Sequence, residues 1–230
     1  LWRTDRSTRY GDLDKDGVPK RGGDMRKAYC TPGFASVGGK VQVLSVGSRA
    51  MQSYDLETGK EIWTLRHDNY NAAIRPVWLP NEGIAFISTG SSAAYLFAIK
   101  IDASTRDNIT ESHVAWVRTK GNPRFAKRIY HAGLIYQVTD IGIASCIDAR
   151  TGEEIWKGRV TGDYRSSPII AGEHLYFFSE QGRGTILKAG RRFQELAVNE
   201  VEGMGTTACT AVSRGALFVR GKTHLYKIAE

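Results

Sequence analysis

Asp12, Asp14 and Asp16, followed by Gly17, stand at the alternate positions from which carboxylates converge on a calcium ion, with a glycine where such a loop bends sharply. The second half of a calcium loop is missing. Its twelfth position is Gly23 instead of a bidentate glutamate, Asp24 comes one residue late, and Pro19 occupies an apolar strand position. Calcium held by Asp12, Asp14 and Asp16 is thus the one metal for which the chain offers a ligand pattern, set against a solvated acidic turn in a long connection. His67, His113, His131, His174 and His224 show neither the H-x-H nor the H-E-x-x-H spacing that puts two nitrogens on one metal. Cys30, Cys146 and Cys209 form no C-x-x-C pair and read as buried thiols, with one bridge and one spare as the alternative. Ser166-Ser167-Pro168 lacks the G-x-S-x-G setting of a nucleophile elbow, so hydrolase chemistry is not expected.

The elements that position these residues follow from an internal repeat. Residues 39–63 and 132–156 align without a gap: Asp55, Thr58, Gly59, Glu61, Ile62 and Trp63 recur as Asp148, Thr151, Gly152, Glu154, Ile155 and Trp156. Alternation in Val41-Gln42-Val43 and Ile135-Tyr136-Gln137-Val138 suits half-buried strands, and Asp-x-x-Thr-Gly supplies turn chemistry. The tryptophan then sits on the outgoing strand, where its indole buries of the order of 150 to 250 Å² only if a neighbouring sheet covers it. Weaker copies fill the rest. One, around Asp102 and Trp116, carries an insertion over residues 105–111; another, over residues 172–196, has Lys188 for the aspartate and Leu196 for the tryptophan; the last, residues 215–230, stops where the turn begins. An earlier strand in each unit starts near Pro32, Pro76, Arg128, Pro168 and Ala211, about 40 to 50 residues apart, the period of a four-stranded propeller blade.

The expected fold is all-β, a β-propeller of about five four-stranded blades in a single domain over residues 1–230. The blades fall at 29–66, 71–118, 124–160, 164–198 and 206–230, after an irregular connection at 5–28. Leu1-Trp2-Arg3-Thr4 resembles the outer strand Ala115-Trp116-Val117-Arg118. Two arrangements are open: residues 1–4 complete the last blade and close the ring, or the chain is an arc of a larger propeller. The opening at Leu1 reads as a processed or excised start.

Lys and Arg outnumber Asp and Glu by 32 to 24, a net charge of +8. The charges are dispersed and the aromatics fall at repeat positions, so nucleic acid is not an expected partner. No run of about 18 apolar residues is present, and no membrane insertion is expected.

The stretches Tyr54-Asp-Leu-Glu-Thr-Gly-Lys-Glu-Ile-Trp63 and Ile147-Asp-Ala-Arg-Thr-Gly-Glu-Glu-Ile-Trp156 resemble the tryptophan-docking repeats of pyrroloquinoline-quinone-like (PQQ-like) propellers, the resemblance running from Tyr29 to Glu230. Such propellers include quinoprotein dehydrogenases, the propeller lipoprotein of outer-membrane protein assembly, and kinase-attached sensor domains. The quinoprotein enzymes carry eight blades, a calcium beside the quinone, an aspartate base and often an adjacent cysteine pair. This chain departs from that in blade number and cysteine spacing, so PQQ is not expected and no catalytic residue is assigned. The resemblance implies a monomeric, non-catalytic scaffold for a protein, peptide or polysaccharide in a bacterial periplasmic or other extracytoplasmic setting. The alternative class is a ligand- or metal-dependent sensor or a quinoprotein-like enzyme domain. In a propeller, Asn71, Arg75, Lys127, Arg128, Tyr164 and Arg165 come toward one end of the channel, a basic and aromatic rim suited to an anionic ligand or peptide.

Overall fold

A computed structural model describes residues 1–90 and 94–229 and divides the chain into two compact units, Leu1–Lys120 and Gly121–Glu230. In the first unit, β1 (Gly33–Val37), β2 (Lys40–Val46), β3 (Ala50–Asp55) and β4 (Glu61–Arg66) form an antiparallel meander. A second meander follows from β5 (Val77–Leu79), β6 (Ile84–Ser88) and β7 (Leu96–Lys100). It skips the two-residue β8 (Asp107–Asn108) and ends in β9 (Val114–Arg118). The second unit repeats the pattern with β10 (Ile129–His131), β11 (Leu134–Val138), β12 (Ile143–Asp148) and β13 (Glu154–Arg159). A fourth sheet comprises β14 (Ile169–Ala171), β15 (His174–Phe178), β16 (Arg183–Lys188) and β17 (Glu195–Glu200). The last sheet has three strands, β18 (Ala211–Ser213), β19 (Ala216–Arg220) and β20 (Leu225–Ile228). Five sheets thus stand where five blades were expected.

The Asp-x-x-Thr-Gly turn closes the hairpin before the tryptophan strand by local chemistry. Asp55 Oδ1 accepts from the amides of Glu57 (3.1 Å) and Thr58 (2.8 Å) and from the Thr58 hydroxyl (2.8 Å). Those bonds, the Thr58 hydroxyl foremost, hold the Asp55 carboxyl below its ordinary range. Gly59, at φ +69, turns the chain back and donates to Asp55 O. Asp148 repeats the arrangement with the amides of Arg150 and Thr151, and Asp102 accepts from the amide and hydroxyl of Ser104. Each of the four complete sheets then carries a register shift at the same place, between Ser53 and Tyr54, Ala98 and Ile99, Cys146 and Ile147, and Ile186 and Leu187.

These registers put the tryptophans on one rung. Gly33, Leu44, Ser53 and Trp63 lie side by side in the first sheet, as do Val77, Phe86, Ala98 and Trp116 in the second, and Ile129, Tyr136, Cys146 and Trp156 in the third. In the fourth sheet the rung reads Ile169, Tyr176, Ile186 and Ala197. The expectation that Leu196 takes the tryptophan's place is corrected to Ala197, because the hairpin between β16 and β17 is one residue longer than those of the first and third sheets. Trp63 is fully buried and donates its indole N–H to Gln42 Oε1 (3.0 Å). Trp156 reaches beyond its own sheet, donating to Gly190 O (2.9 Å) and meeting Phe193 edge-on at 5.4 Å.

The insertion over residues 105–111 has a structural task. Its β8 pairs in parallel with β4, setting Trp63 opposite Asp107 and Thr64 opposite Asn108, while Ile109 is fully buried and its amide donates to Thr64 O. An edge that would otherwise present unpaired backbone groups is covered.

Residues 1–4, expected as an outer strand, form no strand. Trp2 instead lies over the first sheet's turn, donating to Leu56 O (2.9 Å). Its ring fills the space a Cβ on Gly59 would need, and the Thr4 hydroxyl donates to Gly59 O (2.6 Å). The first unit's core gathers Leu44, Met51, Trp63, Leu65, Ile87 and Ile99; the second's gathers Tyr136, Trp156, Tyr164, Phe177 and Leu187. Each such side chain contributes about 1.5 to 3 kcal/mol by leaving water. Among the described residues no helix is long and apolar enough to cross a membrane.

Candidate functional site

The acidic stretch is not a cation cage. Asp12 has a buried carboxylate held by the Arg26 guanidinium, which donates from Nη2 to Oδ1 (2.8 Å) and from Nε to Oδ2 (3.0 Å). The hydrogen bond from Arg26 also lowers the Asp12 pKa. Arg26 in turn lies over the Tyr10 ring. Asp14 Oδ1 accepts from the amides of Asp16 and Val18, both at 2.9 Å, closing its own turn. Asp12, Asp14 and Asp16 are therefore not brought together, and among the described residues no three His, Cys, Asp or Glu side chains converge as metal ligands. These residues do not fit the calcium of a quinoprotein site. The cysteines form no disulfide among the described residues. Cys146 is buried, which pushes its thiol up to about 12, and Cys209 is exposed.

Of the rim residues read from the sequence, Asn71 and Arg75 belong to the first unit. Asn71 adopts φ +57, donates from its side chain to Asp24 Oδ2 (3.2 Å) and from its backbone N–H to Lys27 O (2.9 Å), so it is tied to the preceding connection; Arg75 is exposed. In the second unit Tyr164 is corrected to a core residue. It is 0% exposed, its hydroxyl donates to Thr161 O, and burial pushes its phenol up. Arg128 is half-buried and donates from Nε to Gln137 Oε1 (2.7 Å), while the Gln137 amide donates to Gly121 O and Ser145 Oγ. Lys127 is exposed, its backbone N–H held by Ser167 Oγ (3.1 Å).

Arg165 leads to a surface that sequence reasoning missed. Its guanidinium lies 5.1 Å from the centre of the Phe125 ring, and that of Arg124 lies 5.5 Å from the same ring. Phe125 is 41% exposed between them. Each arginine is anchored by an acid from a matching turn: Arg124 by Asp140, and Arg165 by Glu180 at 2.6 Å. Thr139-Asp140-Ile141-Gly142 and Ser179-Glu180-Gln181-Gly182 are copies of one turn, with Gly142 at φ +77 and Gly182 at φ +88. The device is thus built twice, in consecutive sheets. Ile141, 64% exposed, extends the apolar part beside Asp140, its carbonyl accepting from Arg159 Nη1. Exposed ion pairs of this kind add at most about 1 kcal/mol to stability, so their effect is to fix direction: they hold two planar cations against an aromatic face. The signal available in the sequence was the recurrence of an acid before Gly142 and Gly182, forty residues apart.

Residues 99–198 match a PQQ-type family model described as outer membrane protein assembly factor BamB. The PQQ-type likeness therefore rests on this stretch of the chain. The crystal structure of BamB from Moraxella catarrhalis superposes with a TM-score of 0.62 at 16% identity, covering 85% of this chain and 56% of that one. With the blade-like sheets, this likeness makes the fold that of a β-propeller. The chain spans little more than half the length of that structure. A europium-containing methanol dehydrogenase superposes with a TM-score of 0.42 at 14% identity, over 54% of this chain and 23% of the other. Among curated proteins none matches this sequence.

Proposed function

We propose that this PQQ-like propeller chain is a non-catalytic scaffold that binds a protein or peptide partner through the Phe125 surface. The partner is a component of outer-membrane protein assembly, in a bacterial extracytoplasmic setting. The observation that carries the reading is Phe125, exposed and clamped between Arg124 and Arg165, each arginine itself held by a carboxylate. A ring and two guanidiniums fixed in advance lose little freedom on docking, and arginine and aromatic side chains are the residue types that anchor interfaces. The match to the BamB family model supports the choice of partner class.

The test is photo-crosslinking in the native host, with a crosslinking amino acid placed at Phe125 and, as a control, at the exposed Val41 of the first sheet. An adduct formed from position 125 but not 41, identified by mass spectrometry as an outer-membrane assembly component and lost in Arg165→Ala, is expected. Equal labelling from both positions, or an adduct unrelated to envelope assembly, overturns the proposal.

A further inference from the structure

The turn between the second and third strands of a sheet is closed in the same way in the third, fourth and fifth sheets. Its first residue donates its backbone N–H across the turn, Thr139 to Ile143 O, Ser179 to Arg183 O and Gly221 to His224 O. The next residue is an acid in the first two cases, Asp140 and Glu180, and each acid pairs with an arginine from the loop leading into its own sheet. In the fifth sheet that residue is Lys222, and the corresponding loop, residues 205–208, carries no charged side chain. The sign is reversed and no counter-charge is supplied. Arg220, at the end of β19, stands two positions away; both side chains are exposed, and among the described residues neither has an ion-pair partner.

These two cations border a pocket of about 210 Å³ closed by Glu180, Gly205, Thr206 and Thr207. Its walls are held together through glycines. A Cβ on Gly205 would lie 2.2 Å from Glu180 O, and one on Gly221 2.6 Å from Gly203 O, so the loop packs directly on the turns of both sheets. Thr206 is buried and its amide donates to Ser179 O (3.2 Å), tying the same loop to the fourth sheet. The Thr207 hydroxyl is exposed and makes no hydrogen bond among the described residues. The one acid at the pocket among the described residues, Glu180, is already neutralised by Arg165 at 2.6 Å. Two uncompensated cations and a free hydroxyl are complementary to a carboxylate, which takes charge-assisted hydrogen bonds from both. The volume lies below the roughly 300 to 1,000 Å³ of sites that hold a whole small molecule, and suits a single side chain. The pocket is also continuous with the Phe125 surface, because the Arg165 that Glu180 anchors lies 5.1 Å from the centre of the Phe125 ring.

We propose that the partner segment docking at the Phe125 surface is an acidic peptide, with one aspartate or glutamate side chain seated between Arg220 and Lys222 and an aromatic neighbour on Phe125. The second contact rests on the reading of Phe125 as a docking surface; the preference for a carboxylate is carried by the pocket's own charges.

The probe is an acetylated, amidated pentapeptide of one tryptophan, one glycine and three glutamates, titrated calorimetrically into the whole chain at low salt. Saturable binding is expected. Affinity is expected to fall about tenfold or more when the glutamates are replaced by glutamines, and by a similar factor in Lys222→Glu, which restores the acid found at this turn in the other two sheets. Arg220→Gln serves as a second pocket variant with the same expectation, and since both positions are exposed their folding is checked by an unchanged melting temperature. Phe125→Ala separates the two contacts. Weakening by Lys222→Glu and Phe125→Ala alike supports both; weakening by Lys222→Glu alone upholds the pocket and removes the Phe125 surface; weakening by Phe125→Ala alone upholds that surface and overturns the pocket. Inorganic phosphate is expected to bind at least tenfold more weakly than the peptide, and equal affinity would show a site for a free anion and overturn the peptide assignment. No saturable binding, or binding indifferent to the change from glutamate to glutamine, overturns the proposal.

Discussion

Acidification from pH 7 to pH 4 is expected to destabilise the first unit through His67, which lies just after β4 and is 8% exposed. Burial lowers its pKa from 6.5 to about 4, an effect only partly offset by the Asn69 backbone and the Asp68 carboxylate, while Arg49 adds to the lowering. Above pH 6.5 the imidazole is neutral in both folded and unfolded chains and contributes nothing to the pH dependence. Between 6.5 and 4 the unfolded chain takes up the proton and the folded one does not, so stability falls by about 1.4 kcal/mol per pH unit. Once pH passes below the folded value the loss is complete, at about 3 kcal/mol. That is a large fraction of the stability of a small unit. The assay is urea unfolding of the wild type and His67→Gln at a series of pH values from 7.5 to 3.5, followed by tryptophan fluorescence. Carboxylate titrations occur in both proteins and cancel in the difference. Glutamine cannot take up a proton, so the variant is expected to lose less stability than the wild type over this window, the gap closing by about 3 kcal/mol. Wild-type and variant curves that run parallel from pH 7 to pH 4 would refute the assignment.

Three other outcomes follow from the geometry. Trp156→Ala removes a buried indole, its bond to Gly190 O and two ring contacts, and is expected to cost about 3 to 5 kcal/mol; the half-buried Trp116, packed on Phe86, is expected to cost less, both read from urea midpoints. Gly59→Ala combines a positive φ with a Cβ placed 2.3 Å from the Trp2 ring, so it is expected to cost more than about 1 kcal/mol and to release Trp2 into water, seen as red-shifted emission; unchanged emission would show that Trp2 does not rest on this turn. Millimolar calcium is expected to leave the melting temperature unchanged, because Arg26 and the Asp14 turn hold the oxygens a cation would need; a rise of several degrees would show those bonds giving way to a metal.

Local chemistry is what could be read from the chain alone. The turn at Asp55 and its copy at Asp148 close through bonds spanning a few residues, and the strands on either side follow from alternation, so the repeat and the propeller architecture are legible wherever Asp-x-x-Thr-Gly and a downstream tryptophan recur. The tertiary structure decided whatever depended on partners far along the chain. Asp12 looks like a metal ligand until Arg26, fourteen residues on, occupies it, and Tyr164 reads as a rim aromatic until burial among core residues claims it. The substitution of Ala197 for a tryptophan is invisible to alignment because one extra hairpin residue moves the register, and only strand pairing counts residues in space. Phe125 was missed for the same reason. Its clamp joins two loops some forty residues apart, each harmless by itself, and a cation stacked on a ring leaves no spacing rule in a linear sequence, because the attraction depends on distance and orientation alone.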